Sequence, residues 1–196
     1  MQQSELNEDC HPIDLHFFSR VSLIGLPGVG KSTVGRRLAK HLNVPFTDCD
    51  SVLERRIGES IATFFEREGE AAFRDVEQDL LREVVEGSAA HGAVIATGGG
   101  VVLREANRRL LRDLTVCIWL DARPEALFER LGRNNRRPLL RVADPKARLI
   151  ELATQREPWY AEAATLKVSA SRDAGSTMSA IRRALDARAA PAVNTP

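Results

Sequence analysis

Residues 21–33 read VSLIGLPGVGKST: an apolar run, then three glycines and a proline, then a lysine and two hydroxyls. No other stretch of the chain restricts the fold as much. Glycine forfeits backbone order, so this density suits a loop whose successive N–H groups must all turn inward, in dihedrals that a side chain resists. An anion asks for that arrangement. Gly25-x-x-x-x-Gly30-Lys31-Ser32 fits the Walker A pattern, with a strand predicted before it over Val21–Gly25 and a helix predicted from about Ser32. The helix would add its positive dipole end to the loop. Gly28, Val29, Gly30, Lys31, Ser32 and Thr33 are therefore expected to hold a nucleoside triphosphate. Lys31 would reach its β and γ phosphates, and Ser32 would supply an oxygen to Mg²⁺. The competing reading is a glycine-rich turn with an incidental lysine, which the flanking strand and helix disfavour. The motif is silent on what accepts the phosphoryl group.

The remainder of the chain repeats the same alternation. Short apolar runs at Pro45–Cys49, Ala93–Ala96, Thr115–Leu120 and Thr165–Ser169 read as strands. Between them lie helical patterns, with Val34, Leu38 and Leu42 at i, i+4 and i+8 and a long charged helix expected from about Glu70 to Glu86. Such spacing implies crossover connections, hence a three-layer α/β/α architecture around a five-stranded, mostly parallel sheet. Ligands of such sheets gather at the carboxyl ends of the strands, and the unusual residues do fall just after strands.

Three clusters occupy those positions. In FTDCD, strand alternation would point Asp48 and Asp50 to one side and Cys49 away. The two carboxylates suit magnesium binding or acceptance of a proton from an attacking hydroxyl, and equally suit a turn or a helix cap. In TGGG, residues Thr97–Gly100, a triple glycine allows backbone to approach a small ligand and to present N–H donors, where a plain turn needs fewer. In FRDVE, Glu77 lies at i+3 from Arg74 and can hold its guanidinium; an ordinary surface ion pair is the plainer reading. Residues 132–138, GRNNRRP, are basic and rich in breakers, and read as a mobile loop.

Composition narrows the partners. Twenty-eight basic residues face 27 acidic ones, which disfavours nucleic-acid binding through bulk charge. No apolar run approaches the ~20 residues of a membrane span, and residues 1–19 carry no secretory pattern. The three cysteines form no C-x-x-C pair, so a reducing cytoplasm is expected and Cys117 reads as core filler.

Taken together, GLPGVGKST, DCD, FFEREGEAAFRDVE, ATGGG, RRPLL and REPWY resemble the shikimate kinases in order and spacing, across roughly residues 20–169. The resemblance implies a P-loop nucleoside monophosphate kinase-like fold with a mobile lid at about 132–142, within a domain spanning 20–188. A flexible extension over 1–19 and a frayed tail over 189–196 would flank it. It implies transfer of the γ-phosphoryl of ATP to the 3-hydroxyl of shikimate, with Mg²⁺, in a protein that works as a monomer without nucleic acid or membrane. Carried over by residue, Lys31 is the phosphate-loop lysine, Ser32 the magnesium ligand and Asp48 the aspartate that holds the metal through water. Asp50 binds substrate hydroxyls and is the candidate base. Arg74 and Arg156 clamp the shikimate carboxylate, Gly99 and Gly100 offer backbone donors, and Phe65 and Phe73 wall the ring pocket. Arg137 is the lid arginine, and Arg130 lies beside the adenine.

Two other readings differ in class. A gluconate kinase shares the phosphate loop and lid, without the combined Asp-x-Asp, Phe-Arg and triple-glycine set. A ligand sensor built on the same domain would carry an added DNA-binding module, and residues 1–19 are too short and too acidic to be one.

Overall fold

The computed structural model describes residues 20–131, 142, 144–170 and 173–189. The expected N-terminal extension, the lid apart from Val142, and Arg137 with it all lie outside the described residues. So does the expected tail, apart from Ala189.

Five strands form one parallel sheet: β1 (Arg20–Ile24), β2 (Phe46–Asp48), β3 (Ala93–Ala96), β4 (Val116–Asp121) and β5 (Leu166–Ser169), in the order β2-β3-β1-β4-β5. Seven helices are present among the described residues: α1 (Lys31–Leu42), α2 (Cys49–Ile57), α3 (Ile61–Gly87), α4 (Glu105–Leu114), α5 (Pro124–Leu131), α6 (Pro145–Ala163) and α7 (Ala174–Ala189). A 3-10 turn, Val101–Leu103, links β3 to α4. The five expected strands are all found, each within a residue or two of its expected ends. β1 is central, pairing with β3 on one side and β4 on the other, so its carboxyl end opens where the chain order turns back. That is the crevice where open α/β sheets place ligands.

Burial explains the sheet's residues. Val21, Leu23, Ile24, Val94, Ile95, Cys117 and Ile118 are fully or almost fully enclosed, as strands covered on both faces require. Ser22 is equally buried, and its hydroxyl pairs with Thr115 Oγ1 at 2.6 Å, which satisfies it within the core. Val34, Leu38 and Leu42 all face inward from α1. Gly35 sits mid-helix because α1 presses on β2 there: a Cβ would lie 2.5 Å from the Phe46 ring.

Two elements depart from the sequence reading. β2 stops at Asp48, which caps α2 by accepting from the Ser51 N–H at 3.4 Å. Asp50 therefore lies on the first turn of α2, and the alternation that would have set Asp48 and Asp50 on one side of a strand does not apply. The capping geometry overrides the strand pattern because an aspartate there satisfies an otherwise orphaned helix N–H. The second departure is α3. The helix expected from about Glu70 is its second segment; a first segment, 61–68, starts at Ser60, whose Oγ accepts from the Thr63 N–H at 3.1 Å. Gly69, at φ 82° and ψ 175°, separates the two.

Candidate active site

The loop between β1 and α1 is built by its glycines. Gly25 has φ 138°, and a Cβ on it would stand 2.5 Å from the Leu120 carbonyl oxygen at the end of β4. Gly30, at φ 100°, is the N-cap of α1 and offers no side-chain cap. The first-turn N–H groups of α1 thus stay available to an anion at the loop's mouth. Lys31 is buried, and its ammonium donates to the carbonyls of Gly25 at 2.8 Å and Leu26 at 3.1 Å, which curls the charge over the loop. Ser32 is half-buried and Thr33 exposed. Val29 buries its side chain in the core, so its backbone alone can face a phosphate.

The glycine triplet is explained by what crowds each member. A Cβ on Gly98 would lie 2.6 Å from Glu77 Oε1 and 3.0 Å from Asp50 Oδ1, so two carboxylates converge there. On Gly99 it would meet Pro27 of the phosphate loop at 2.9 Å. On Gly100 it would meet the Arg74 guanidinium at 2.5 Å. The triplet is therefore the floor on which the loop, α2 and α3 meet. Gly99 is expected as a backbone donor; in this structure its carbonyl is an acceptor, receiving Arg156 Nη1 at 2.9 Å and the Tyr160 hydroxyl at 2.6 Å.

Two arginines come into this floor, both buried. Arg74 lies over the Phe73 ring, 4.9 Å from its centroid, and donates Nη1 to Glu77 at 2.6 Å. The pair is buried on both sides, so the surface ion pair that helix composition favours is not what the fold makes. Glu70 accepts from the Nε and Nη2 of Arg74 at 3.3 and 3.1 Å. Arg156, on α6, buries its Nε without a hydrogen-bond partner among the described residues. Burial pushes the Glu77 carboxyl up, Arg74 and Arg156 oppose that, and Asp50 adds to it. Burial likewise raises the Tyr160 hydroxyl to about 12 against the pull of Arg156. Phe65 meets Phe73 at 5.5 Å, tilted 54°, beside Arg74.

Tyr160 and Glu70 are site residues that sequence reasoning missed. Tyr160 was legible as the i+4 partner of Arg156 on one helix face, and Glu70 as the i−4 partner of Arg74. Arg130 is half-buried on α5 with its Nε unpartnered, and no described hydrogen bond ties it to the phosphate loop or the triplet.

A family model described as shikimate kinase matches residues 27–186, which is most of the chain. The chain belongs to the shikimate kinase family. The shikimate kinase of Paracidovorax citrulli is 51% identical over 152 residues, covering 78% of this chain and 82% of that one. That of Thioalkalivibrio sulfidiphilus is 45% identical over 155 residues, 79% and 80% of the two chains. Among solved structures, the shikimate kinase from Acinetobacter baumannii in complex with shikimate superposes with a TM-score of 0.83 at 32% identity, covering 92% of this chain and 98% of that one. A gluconokinase from Sinorhizobium meliloti reaches a TM-score of 0.56 at 18% identity, which is likeness of fold alone. The fold is thus the P-loop nucleoside monophosphate kinase-like one that shikimate kinases share. Among the described residues, no helix is long and apolar enough to cross a membrane.

Proposed function

We propose that this chain transfers the γ-phosphoryl of ATP to the 3-hydroxyl of shikimate, giving shikimate 3-phosphate and ADP. The observation that carries the reading is the pair of buried arginines at the glycine triplet, one with an unspent Nε, next to a phosphate loop that touches the same triplet through Pro27. Two buried guanidinium groups, one with a free Nε, call for a carboxylate, and shikimate brings one on a small ring with three hydroxyls. Arg74 and Arg156 clamp it, Phe65 and Phe73 wall the ring, and the Gly99 and Gly100 backbone borders it. Asp50 accepts the proton of the attacking hydroxyl, whose oxygen bonds to the γ-phosphorus as the bond to the bridging oxygen of ADP breaks. Lys31 and the loop N–H groups hold the β and γ phosphates and offset the charge that moves onto the leaving oxygen.

Magnesium fits the donor set. Ser32 and Asp48 supply a hydroxyl and a carboxylate, hard oxygens of the kind Mg²⁺ prefers, and this ion keeps several waters and leans on phosphates instead of filling a protein cage. Bound with the nucleotide, the ion would neutralise phosphate charge. A cytoplasmic setting is supported by Cys49 and Cys117, both free and buried. A monomer is the proposed working unit.

A coupled assay for ADP, run with and without shikimate, tests the reading. ADP release should depend on shikimate and disappear in Lys31→Ala with the fold intact by circular dichroism. Release that ignores shikimate would overturn it.

A further inference from the structure

Arg74 is held by two carboxylates, and they hold it differently. Glu77 is as buried as Arg74, each side chain 7% exposed, and takes Nη1 at 2.6 Å. Releasing it would strand a buried charge, a heavy penalty. Glu70 sits one turn earlier, with its side chain 51% exposed, and a single oxygen of it receives both Nε and Nη2 at 3.3 and 3.1 Å. Those lengths exceed the 2.7–2.9 Å of a strong charge-assisted bond. The guanidinium lies over the Phe73 ring and crowds the space a Cβ on Gly100 would take, so its edges are the natural approach for an anion. The Nε–Nη2 edge is one that carboxylates grip with two parallel bonds, and Glu70 covers it with one oxygen.

We propose that Glu70 is a tethered stand-in for the substrate carboxylate. It covers the Nε–Nη2 edge of Arg74 in the free enzyme, and the incoming carboxylate displaces it into water. The proposal rests on Arg74 being part of the carboxylate clamp. Displacement is cheap for Glu70 because half of its side chain already meets solvent, and it follows the break at Gly69, where the helix restarts. The site also gains by it. Asp50, Glu70 and Glu77 place three negative charges against Arg74 and Arg156, so moving Glu70 outward makes room for the substrate's own charge. The consequence falls on every carboxylate alike: each must displace the same tethered acceptor, and one that also gains hydroxyl contacts has more binding energy to offset that cost.

Calorimetric titration of shikimate into the full chain, without nucleotide, tests this. Glu70→Gln should tighten shikimate about two- to fivefold, the range that a half-exposed ion pair is worth. Glu70→Asp, which keeps the charge and shortens the arm, should tighten it likewise. Acetate titrated alone should also bind Glu70→Gln more tightly than the unaltered chain, by a similar factor. Unchanged or weaker shikimate binding in Glu70→Gln, with Arg74→Lys still losing affinity, would make Glu70 a brace and overturn the stand-in. Tightening in Gln alone, with Asp unchanged, would trace the effect to bulk charge and overturn it as well. Equal affinity in the unaltered chain, Glu70→Gln and Arg74→Lys would overturn the clamp, and the stand-in with it.

Discussion

Tyr160 is the sole tyrosine of the chain, and its hydroxyl donates to the Gly99 carbonyl that Arg156 also binds. It stacks against Trp119 at 5.7 Å. Burial raises its ionisation to about 12 from an ordinary 10. A raised folded-state value means that its contribution to stability is complete below pH 10 and is lost as pH climbs towards 12. Ultraviolet titration should therefore show no tyrosinate in the folded protein near pH 10, with the signal appearing only as alkali approaches pH 12 or unfolds the chain. A tyrosinate step near pH 10 in folded protein would mean that the hydroxyl is wet. The arginines beside it give a second residue-level prediction. Arg74→Lys and Arg156→Lys keep charge and lose the planar fork. Each should raise the KM for shikimate by roughly tenfold or more, taking ~1.5–3 kcal/mol for a hydrogen bond to a charged group. The KM for ATP should barely move, and an unchanged KM for shikimate in both would remove them from the substrate site.

At the scale of elements, α3 is decided by a single break. Gly69 occupies φ 82° and ψ 175°, a region open almost only to glycine. The first segment, 61–68, carries Phe65 to Phe73 at an angle that a straight helix would not allow. Gly69→Ala should cost about 1–3 kcal/mol in urea denaturation, since alanine there is strained, and raise the KM for shikimate as Phe65 is re-aimed. Unaltered stability would show that a continuous helix serves as well. α2 teaches a related lesson. The residues of DCD are compatible with a strand by alternation and with a cap by chemistry, and the structure takes both options in turn, ending β2 and starting α2 at the same aspartate. Asp50 reaches Gly98 from the first turn of that helix.

At the scale of the molecule, the phosphate side and the acceptor side meet through Pro27 and Gly99, one from the loop after β1 and one from the loop after β3. Because β1 and β3 are adjacent and parallel, their ends lie side by side, and the contact sets the spacing of the two halves. Gly99→Ala should push them apart, raising the KM for ATP and for shikimate together, where the arginine variants raise only the second. Steady-state kinetics with each substrate varied separates these outcomes; a rise in one KM alone would show that the halves are not spaced by this contact. What the sequence determined by itself was local. The strand–glycine–lysine–helix order of residues 21–33, the apolar period of α1 and the five strands follow from backbone sterics and hydrophobic spacing, which neighbours in sequence suffice to set. The Arg74–Glu77 pair was legible too, as two side chains one helical turn apart. Tertiary structure decided whether that pair lies at the surface or buried, and it decided why three glycines stand together, since Pro27, Arg74, Glu77 and Asp50 come from 21 to 72 residues away to crowd them. No pattern within a few residues encodes such a meeting. It exists because a parallel sheet brings the ends of distant strands to one edge, and only there do Arg156, Tyr160 and the glycine carbonyl find one another.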